Sequence, residues 1–340
     1  MDREPGATSM RLIDAAATQA ALPFARLIPA LREMFITGCE VPARHVHELR
    51  AGDATAVTSL IMPAWQGPQP GGHAGRRCYG VKIVNIAPGN TARGLPGLHA
   101  SYLLHDAATG EPLALIDGDQ ITARRTAAAS ALAASFLARA DARHLLVVGA
   151  GRVAALLPIA YREVRAIERV SVWARRHDAA QALAQSWRQQ GLQATAVTDL
   201  GAAVAAADIV SCATLASTPL MLGRWLRAGS HLDLIGSFAA TMREADDDCF
   251  HAASLFVDTD EALLKSGDLL GPISRGVFAA ADVLARLEQL CRGTHAGRHD
   301  DAEHTVFKSV GTGLEDLAAA MLVFAAQHRN PDCTHPEAQP

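Results

Sequence analysis

Residues 144–154 read HLLVVGAGRVA, and no other run limits the possible folds as tightly. An apolar strand pattern stops at a glycine, and a helix pattern, VAALLPIAYREV, begins a few residues on. Gly149-Ala150-Gly151-Arg152-Val153-Ala154 is the Gly-x-Gly-x-x-Gly/Ala pattern, placed between a strand and a helix where it has a physical meaning. Gly149 permits a tight turn, Gly151 lets the backbone approach a pyrophosphate, and Ala154 is small enough for the helix to pack on the strand. The helix N-terminus then offers N–H groups and a positive dipole end to phosphates. A second strand pattern, RVSVWAR, follows at the spacing of the next βαβ element. The competing reading is a tight strand-to-helix turn that binds nothing.

Beyond this point strand and helix patterns alternate: DAAQALAQSWRQQ, ATAVT, Leu200–Ala206, DIVSCAT and HLDLIGS. Such alternation predicts a parallel sheet covered by helices. The chain after Asp258 reads as helical, 292–303 as a loop, and the stretch from Asn330 as a polar tail. The first third has a different texture. A helical pattern, ALPFARLIPALREMF, precedes four β-prone runs, TSLIMPAW, GVKIVNIAP, LHASYLLHD and PLALIDG. Turn signals at Pro68–Gly72, Pro88-Gly89-Asn90 and Thr109-Gly110 separate them, which predicts an antiparallel meander. An alanine-rich helix, TARRTAAASALAASFLARA, opens at Thr122.

With 340 residues, 49% of them hydrophobic, the chain can build two domains with cores of their own. A formal net charge of -4 gives no broad basic surface, so no nucleic-acid partner is expected. The polar start, MDREPGATSM, is unlike a signal peptide, and no apolar run reaches about 18 residues without charge or proline, so no membrane span is expected. Six scattered cysteines without a Cys-x-x-Cys pair suggest reduced thiols and a cytoplasmic location.

Several polar positions carry chemistry. An acidic residue at the end of the second strand would take the ribose hydroxyls of NAD, but here the run is Ala174-Arg175-Arg176-His177. Two arginines suit a 2'-phosphate, so NADP(H) is expected over NAD(H), with solvation of a helix start as the alternative. Lys82 lies among Val81, Ile83, Val84 and Ile86, so it either marks a solvated edge or meets an anion in a cleft. His45 with His47, and His295, His299 and His304, lack the convergent partners of a metal site, so no metal is expected. Glu244 and Asp246–Asp248 read as helix capping, and Cys212 as a small buried residue.

Taken in order, several stretches resemble the ornithine cyclodeaminase/μ-crystallin family. They are Met62-Pro63-Ala64, Gly80-Val81-Lys82, Pro88-Gly89-Asn90, Thr109-Gly110-Glu111-Pro112-Leu113-Ala114, Asp117-Gly118, and the run from Ile121 to Ala128. The glycine loop, His231–Ser237 and Thr305–Gly311 complete the set. The resemblance implies an α/β protein in which a Rossmann domain, a doubly wound parallel sheet, is inserted into a β-rich α+β domain for substrate binding and dimerisation. It places residues 1–128 and 305–340 in the substrate domain and 129–304 in the NAD(P) domain, and it implies a homodimer.

The same resemblance assigns roles. Arg44, Lys82 and Arg125 are the implied carboxylate-binding and catalytic trio, with Asn90 and Phe238 at the substrate. Thr126, Gly149, Ala150, Gly151, Arg152, Val153, Arg175, Arg176, Thr214, Gly236, Ser237 and Lys308 are expected at the cofactor. Ornithine cyclodeaminases are expected to carry an aspartate where Gly236-Ser237-Phe238 stands, and phenylalanine cannot handle an amine as a carboxylate does. Asp233, within the strand, is expected to face away from Phe238. The implied activity is therefore NAD(P)H-dependent reduction of a small cyclic imine, Δ1-pyrroline-2-carboxylate or Δ1-piperideine-2-carboxylate. Ornithine cyclodeamination, alanine dehydrogenation and non-catalytic ligand binding are the alternatives.

Overall fold

A computed structural model of the chain describes residues 10–50, 56–67 and 77–328. The turn expected at Pro68–Gly72, residues 1–9, Cys333 and the polar tail from Asn330 lie outside the described residues. The elements begin with β1 (Arg11–Ile13), α1 (Ala15–Ala21), α2 (Phe24–Thr37), β2 (His45–Leu49), β3 (Val57–Trp65), β4 (Cys78–Ile86), β5 (Leu98–Asp106), β6 (Pro112–Asp117) and α3 (Gly118–Leu137). Then follow β7 (His144–Val148), α4 (Arg152–Arg162), β8 (Arg169–Trp173), α5 (His177–Gln189), β9 (Gln193–Ala196), α6 (Leu200–Ala206), β10 (Ile209–Cys212) and β11 (His231–Leu234). Last come β12 (Ser254–Val257), α7 (Glu261–Lys265), α8 (Gly267–Ser274), β13 (Val283–Arg286), α9 (Leu287–Cys291), β14 (Thr305–Lys308) and α10 (Gly313–His328).

The chain divides into two compact units. The first takes the residues up to Ala30, Thr37–Arg125 and the chain from Gly313. Among the described residues its sheet has the order β1-β6-β5-β4-β3-β2. Strands β2 to β6 pair antiparallel in sequence, the expected meander, and β1 adds to β6 in parallel. Alternation sets the faces: Cys78, Gly80, Lys82 and Val84 of β4 are buried, while Tyr79, Val81 and Ile83 between them keep partial exposure. Helix α10 packs against β3 and β4. Gly313 allows that approach, since a Cβ there would come within 3.2 Å of Ala64 and of the Pro63 carbonyl.

Two helices differ from expectation. The helix expected over Ala21–Phe35 is α2, which starts at Phe24 because Pro23 has no N–H to continue a ladder from before it, and a further helix, α1, precedes it. Helix α3 opens at Gly118 rather than Thr122. The Asp117 carboxylate caps it by accepting the Gln120 N–H at 2.7 Å. Gly118 tolerates contact with the neighbouring backbone, where a Cβ would meet Ala100 and Ser101 at 2.6 and 2.7 Å.

The second unit comprises Leu31–Ile36 and Thr126–Thr312. Among the described residues its sheet is wholly parallel, in the order β13-β12-β14-β11-β10-β7-β8-β9. This is the Rossmann-type arrangement, with β7 flanked by β8 and β10 where the winding reverses. Leu146, Val148, Val210, Cys212, Leu232, Leu234 and Val306 join one core cluster, which is why these strands read as apolar runs. The expected boundary at residue 305 falls inside this unit, because β14 is hydrogen-bonded between β11 and β12. The sheet also gains β13 from the stretch expected to be helical after Asp258.

Candidate functional site

The segments that leave β7 and β10 line a cavity of about 550 Å³, with Gly149, Gly151, Arg175, Arg176 and Thr214 on its wall. Gly149 has φ 124°, and a Cβ there would sit 2.5 Å from the Ala213 carbonyl oxygen. Only glycine meets both conditions. A Cβ at Gly151 would meet nothing within 4 Å, so this position borders open space. Gly151 is also the N-cap of α4 and supplies no side-chain acceptor to the first turn, whose positive dipole end favours an anion. Ala150 lines the same cavity, Arg152 is exposed, and Val153 is half-buried in the first turn. Arg175 and Arg176 are exposed at the end of β8, and among the described residues no carboxylate forms an ion pair with either. A glycine cradle, an uncapped helix start and two arginines fit a dinucleotide.

Three residues expected at the cofactor are buried. Ser237 is wholly buried, and its hydroxyl donates to the Met242 carbonyl at 2.6 Å. Lys308 ends β14 with no exposure, its Nζ 3.5 Å from Asp268 Oδ2. Gly236 is buried too, and its N–H donates to Glu244 at 2.6 Å. None of the three is among the residues that line the cavity. Thr126 is half-buried on α3. Phe238 is half-buried and packs against the core cluster. Asp233 is fully buried, accepting from Tyr161 Oη at 2.8 Å and from Ser130 Oγ at 3.1 Å. Burial pushes its carboxyl up to about 6.

The first unit answers the question posed by Lys82. The side chain is 1% exposed, and its Nζ lies 2.6 Å from Asp316 Oδ2. Asp316 also accepts from Arg125 Nε at 2.9 Å, and Glu315 accepts from Arg125 Nη1 at 2.7 Å. The anion that meets Lys82 is therefore supplied by α10 of its own chain. Burial lowers the Lys82 ammonium to about 8; Asp316 opposes that shift, while Arg125 and Arg44 reinforce it. Burial alone would raise the Asp316 carboxyl, but Lys82 and Arg125 outweigh it and hold the group below its ordinary value. For Arg125 the two carboxylates likewise overcome burial and strengthen its hold on the proton.

The structure thus brings Lys82 and Arg125 onto one shared carboxylate, Asp316, with the half-buried Arg44 in electrostatic reach. Asn90 has a different employment: its side-chain amide donates to the Pro96 carbonyl at 2.8 Å and closes its own loop. Arg124 points elsewhere, donating to the Leu22 carbonyl at 2.8 Å with its guanidinium over the Phe24 ring. The sequence reading missed Glu315 and Asp316. Their only signal was two acidic residues in the first turn of a hydrophobic helix, a pattern that dipole stabilisation alone explains. Among the described residues no group of three His, Cys, Asp or Glu side chains is placed to hold a metal ion.

A parallel Rossmann sheet with a glycine-lined cavity, inserted in the chain of a β-rich unit that buries an ion-paired lysine, defines a dinucleotide-binding protein of two units. The sequence profile of the ornithine cyclodeaminase/mu-crystallin family matches residues 60–329. The chain belongs to this family. It is similar to the Delta(1)-pyrroline-2-carboxylate reductase of Paracoccus denitrificans, 44% identical over 286 residues that cover 82% of this chain and 90% of the relative. Among solved structures it resembles the Thermococcus litoralis Delta(1)-pyrroline-2-carboxylate reductase in complex with NADH and L-proline. That match has a TM-score of 0.86 and 32% identity, covering 94% of this chain and 98% of the other. An archaeal alanine dehydrogenase dimer with bound NAD matches with TM-score 0.84 and 26% identity over 94% and 96% of the two chains.

Proposed function

We propose that this protein reduces a small cyclic imino acid, Δ1-pyrroline-2-carboxylate or Δ1-piperideine-2-carboxylate, to proline or pipecolate with a nicotinamide cofactor. The observation that carries the reading is the buried Lys82–Asp316–Arg125 cluster in a chain that also holds a glycine-lined dinucleotide cavity. Similarity to two reductases of this imine supports it. A nicotinamide held there would supply the hydride that the imine carbon takes.

The chain's own residues bind, orient and protonate. Arg125 spends two of its five N–H donors on Asp316 and Glu315 and keeps the rest for a substrate carboxylate. Arg44 is assigned to the same carboxylate. Lys82 gives a proton from Nζ to the imine nitrogen, so that C=N becomes CH–NH, and regains one from water that enters as the product leaves. A group poised near the working pH suits that role, and burial brings Lys82 to about 8. Asp316 fixes the ammonium in place, and Phe238 is assigned to cover the flat ring.

NADP(H) is the assigned cofactor, with NAD(H) as the second choice. Support comes from Arg175 and Arg176, exposed on the cavity wall where an acidic residue would select NAD. Gly149, Ala150, Gly151, Arg152, Val153, Thr126 and Thr214 would hold the remainder of the dinucleotide. The protein is assigned as a homodimer: strand β2 is exposed along its length, Val46 and Leu49 included, and the related alanine dehydrogenase is a dimer. A cytoplasmic location is assigned from the free thiols of Cys39, Cys78, Cys212, Cys249 and Cys291. Among the described residues no helix is long and apolar enough to cross a membrane.

The test is consumption of NADPH and NADH, followed by absorbance, with five- and six-membered cyclic imines and with ornithine. Imine-dependent oxidation is expected. Ammonia release from ornithine without imine reduction would replace this reading with cyclodeamination.

A further inference from the structure

Glu244 stands beside three acidic residues and reads in sequence as a helix cap, yet the cap is Asp246, whose carboxylate accepts the Cys249 N–H. Glu244 is instead 1% exposed. Its Oε1 accepts the Thr214 N–H at 2.7 Å and the Thr214 hydroxyl at 2.8 Å, and its Oε2 accepts the Gly236 N–H at 2.6 Å. Thr214 follows β10 and Gly236 follows β11, so one carboxylate ties together the segments that leave two adjacent strands. The fit is tight: a Cβ at Gly236 would lie 1.8 Å from the Thr214 carbonyl oxygen and 2.5 Å from Glu244 Oε1. The backbone of Glu244 is fixed as well, its N–H donating to Asp268 at 2.7 Å and its carbonyl accepting from Leu220 and Met221 at 2.8 and 2.9 Å. Thr214 and Leu220 both line the cavity.

We infer that Glu244 is a positioning residue for the cofactor, its carboxylate setting the register at which Thr214 and the wall segment after it face the cavity. The inference rests on the cofactor reading above. Three donors aim at this carboxylate, so protonation would turn one oxygen toward a donor it can no longer accept. Burial raises the Glu244 carboxyl to about 7; Lys308 opposes the rise and Asp268 adds to it. The buckle is therefore complete above about pH 7 and loosens below it.

The test is direct binding of NADPH, followed by its fluorescence, to wild type, Glu244→Gln and Glu244→Asp at pH 6, 7 and 8. Glutamine must face either Thr214 or Gly236 with an N–H, so it loses at least one bond. Binding about tenfold weaker is expected, the size of one lost charge-assisted hydrogen bond. Wild type should also bind more weakly as the pH falls through 7, a response that Glu244→Gln removes and Glu244→Asp keeps. Glu244→Gln that is folded by circular dichroism and binds within twofold of wild type, or keeps the wild-type pH response, would overturn the inference. If Glu244→Gln does not fold, Glu244→Asp decides by the same tenfold and twofold limits. Wild type that binds neither NADPH nor NADH would instead overturn the cofactor reading itself.

Discussion

Lys82 Nζ and Asp316 Oδ2 lie 2.6 Å apart, and both side chains are out of reach of solvent. A strand and a helix separated by more than 200 residues thus share one buried ion pair. Such a pair contributes little net stability, since desolvation offsets much of its attraction, but breaking it from one side is expensive.

Removal of the Asp316 charge should expose that cost. Asp316→Asn leaves Lys82 without its carboxylate and Arg125 with Glu315 alone. We expect a loss of about 3 kcal/mol of unfolding free energy in urea titration. A loss below about 1 kcal/mol would mean that the pair is already solvated.

The pH dependence of turnover follows from Lys82. The ammonium is the proton-donating form; it is complete below its pKa and lost as the pH rises through about 8. The kcat for imine reduction should therefore fall on the alkaline side of about 8, approaching roughly tenfold per pH unit. A kcat that stays level to pH 10 would remove Lys82 from the proton step.

Cofactor choice is tested by Arg175→Ala with Arg176→Ala. The pair is exposed on the cavity wall. Loss of charge-assisted bonds to a 2'-phosphate should raise KM for NADPH about tenfold or more and leave KM for NADH within about twofold. Equal effects on the two cofactors would show that the arginines do not read the 2' position.

Gly149→Ala tests the close approach of the two strand exits. Its Cβ would sit 2.5 Å from the Ala213 carbonyl oxygen in a backbone with φ 124°. We expect about 1–3 kcal/mol of destabilisation in urea titration, together with loss of NADPH binding. Unchanged binding would place the dinucleotide elsewhere.

Where residues act through local periodicity, the sequence was readable. Apolar runs before Gly149 and at β10 and β11 gave the parallel sheet, and alternation from β3 to β6 gave the meander. Long-range pairing was not readable. Nothing in TVFK announces that β14 slots between β11 and β12, so the boundary drawn at 305 cut through the second unit. Asp316 and Glu244 each had a sufficient local explanation, a helix dipole for one and a cap for the other. That explanation hid the distant partner, Lys82 in the first case and Thr214 with Gly236 in the second. For Lys308 the motif did not announce its burial beside Asp268.

Lys82→Met separates proton donation to the imine from cofactor binding. The measurement is NADPH oxidation with Δ1-pyrroline-2-carboxylate, alongside NADPH binding by fluorescence. We predict imine turnover in wild type, its loss in the variant, and NADPH affinity within about twofold between the two, because Lys82 is not among the residues that line the dinucleotide cavity. Turnover that survives the substitution would show that Lys82 does not protonate the imine.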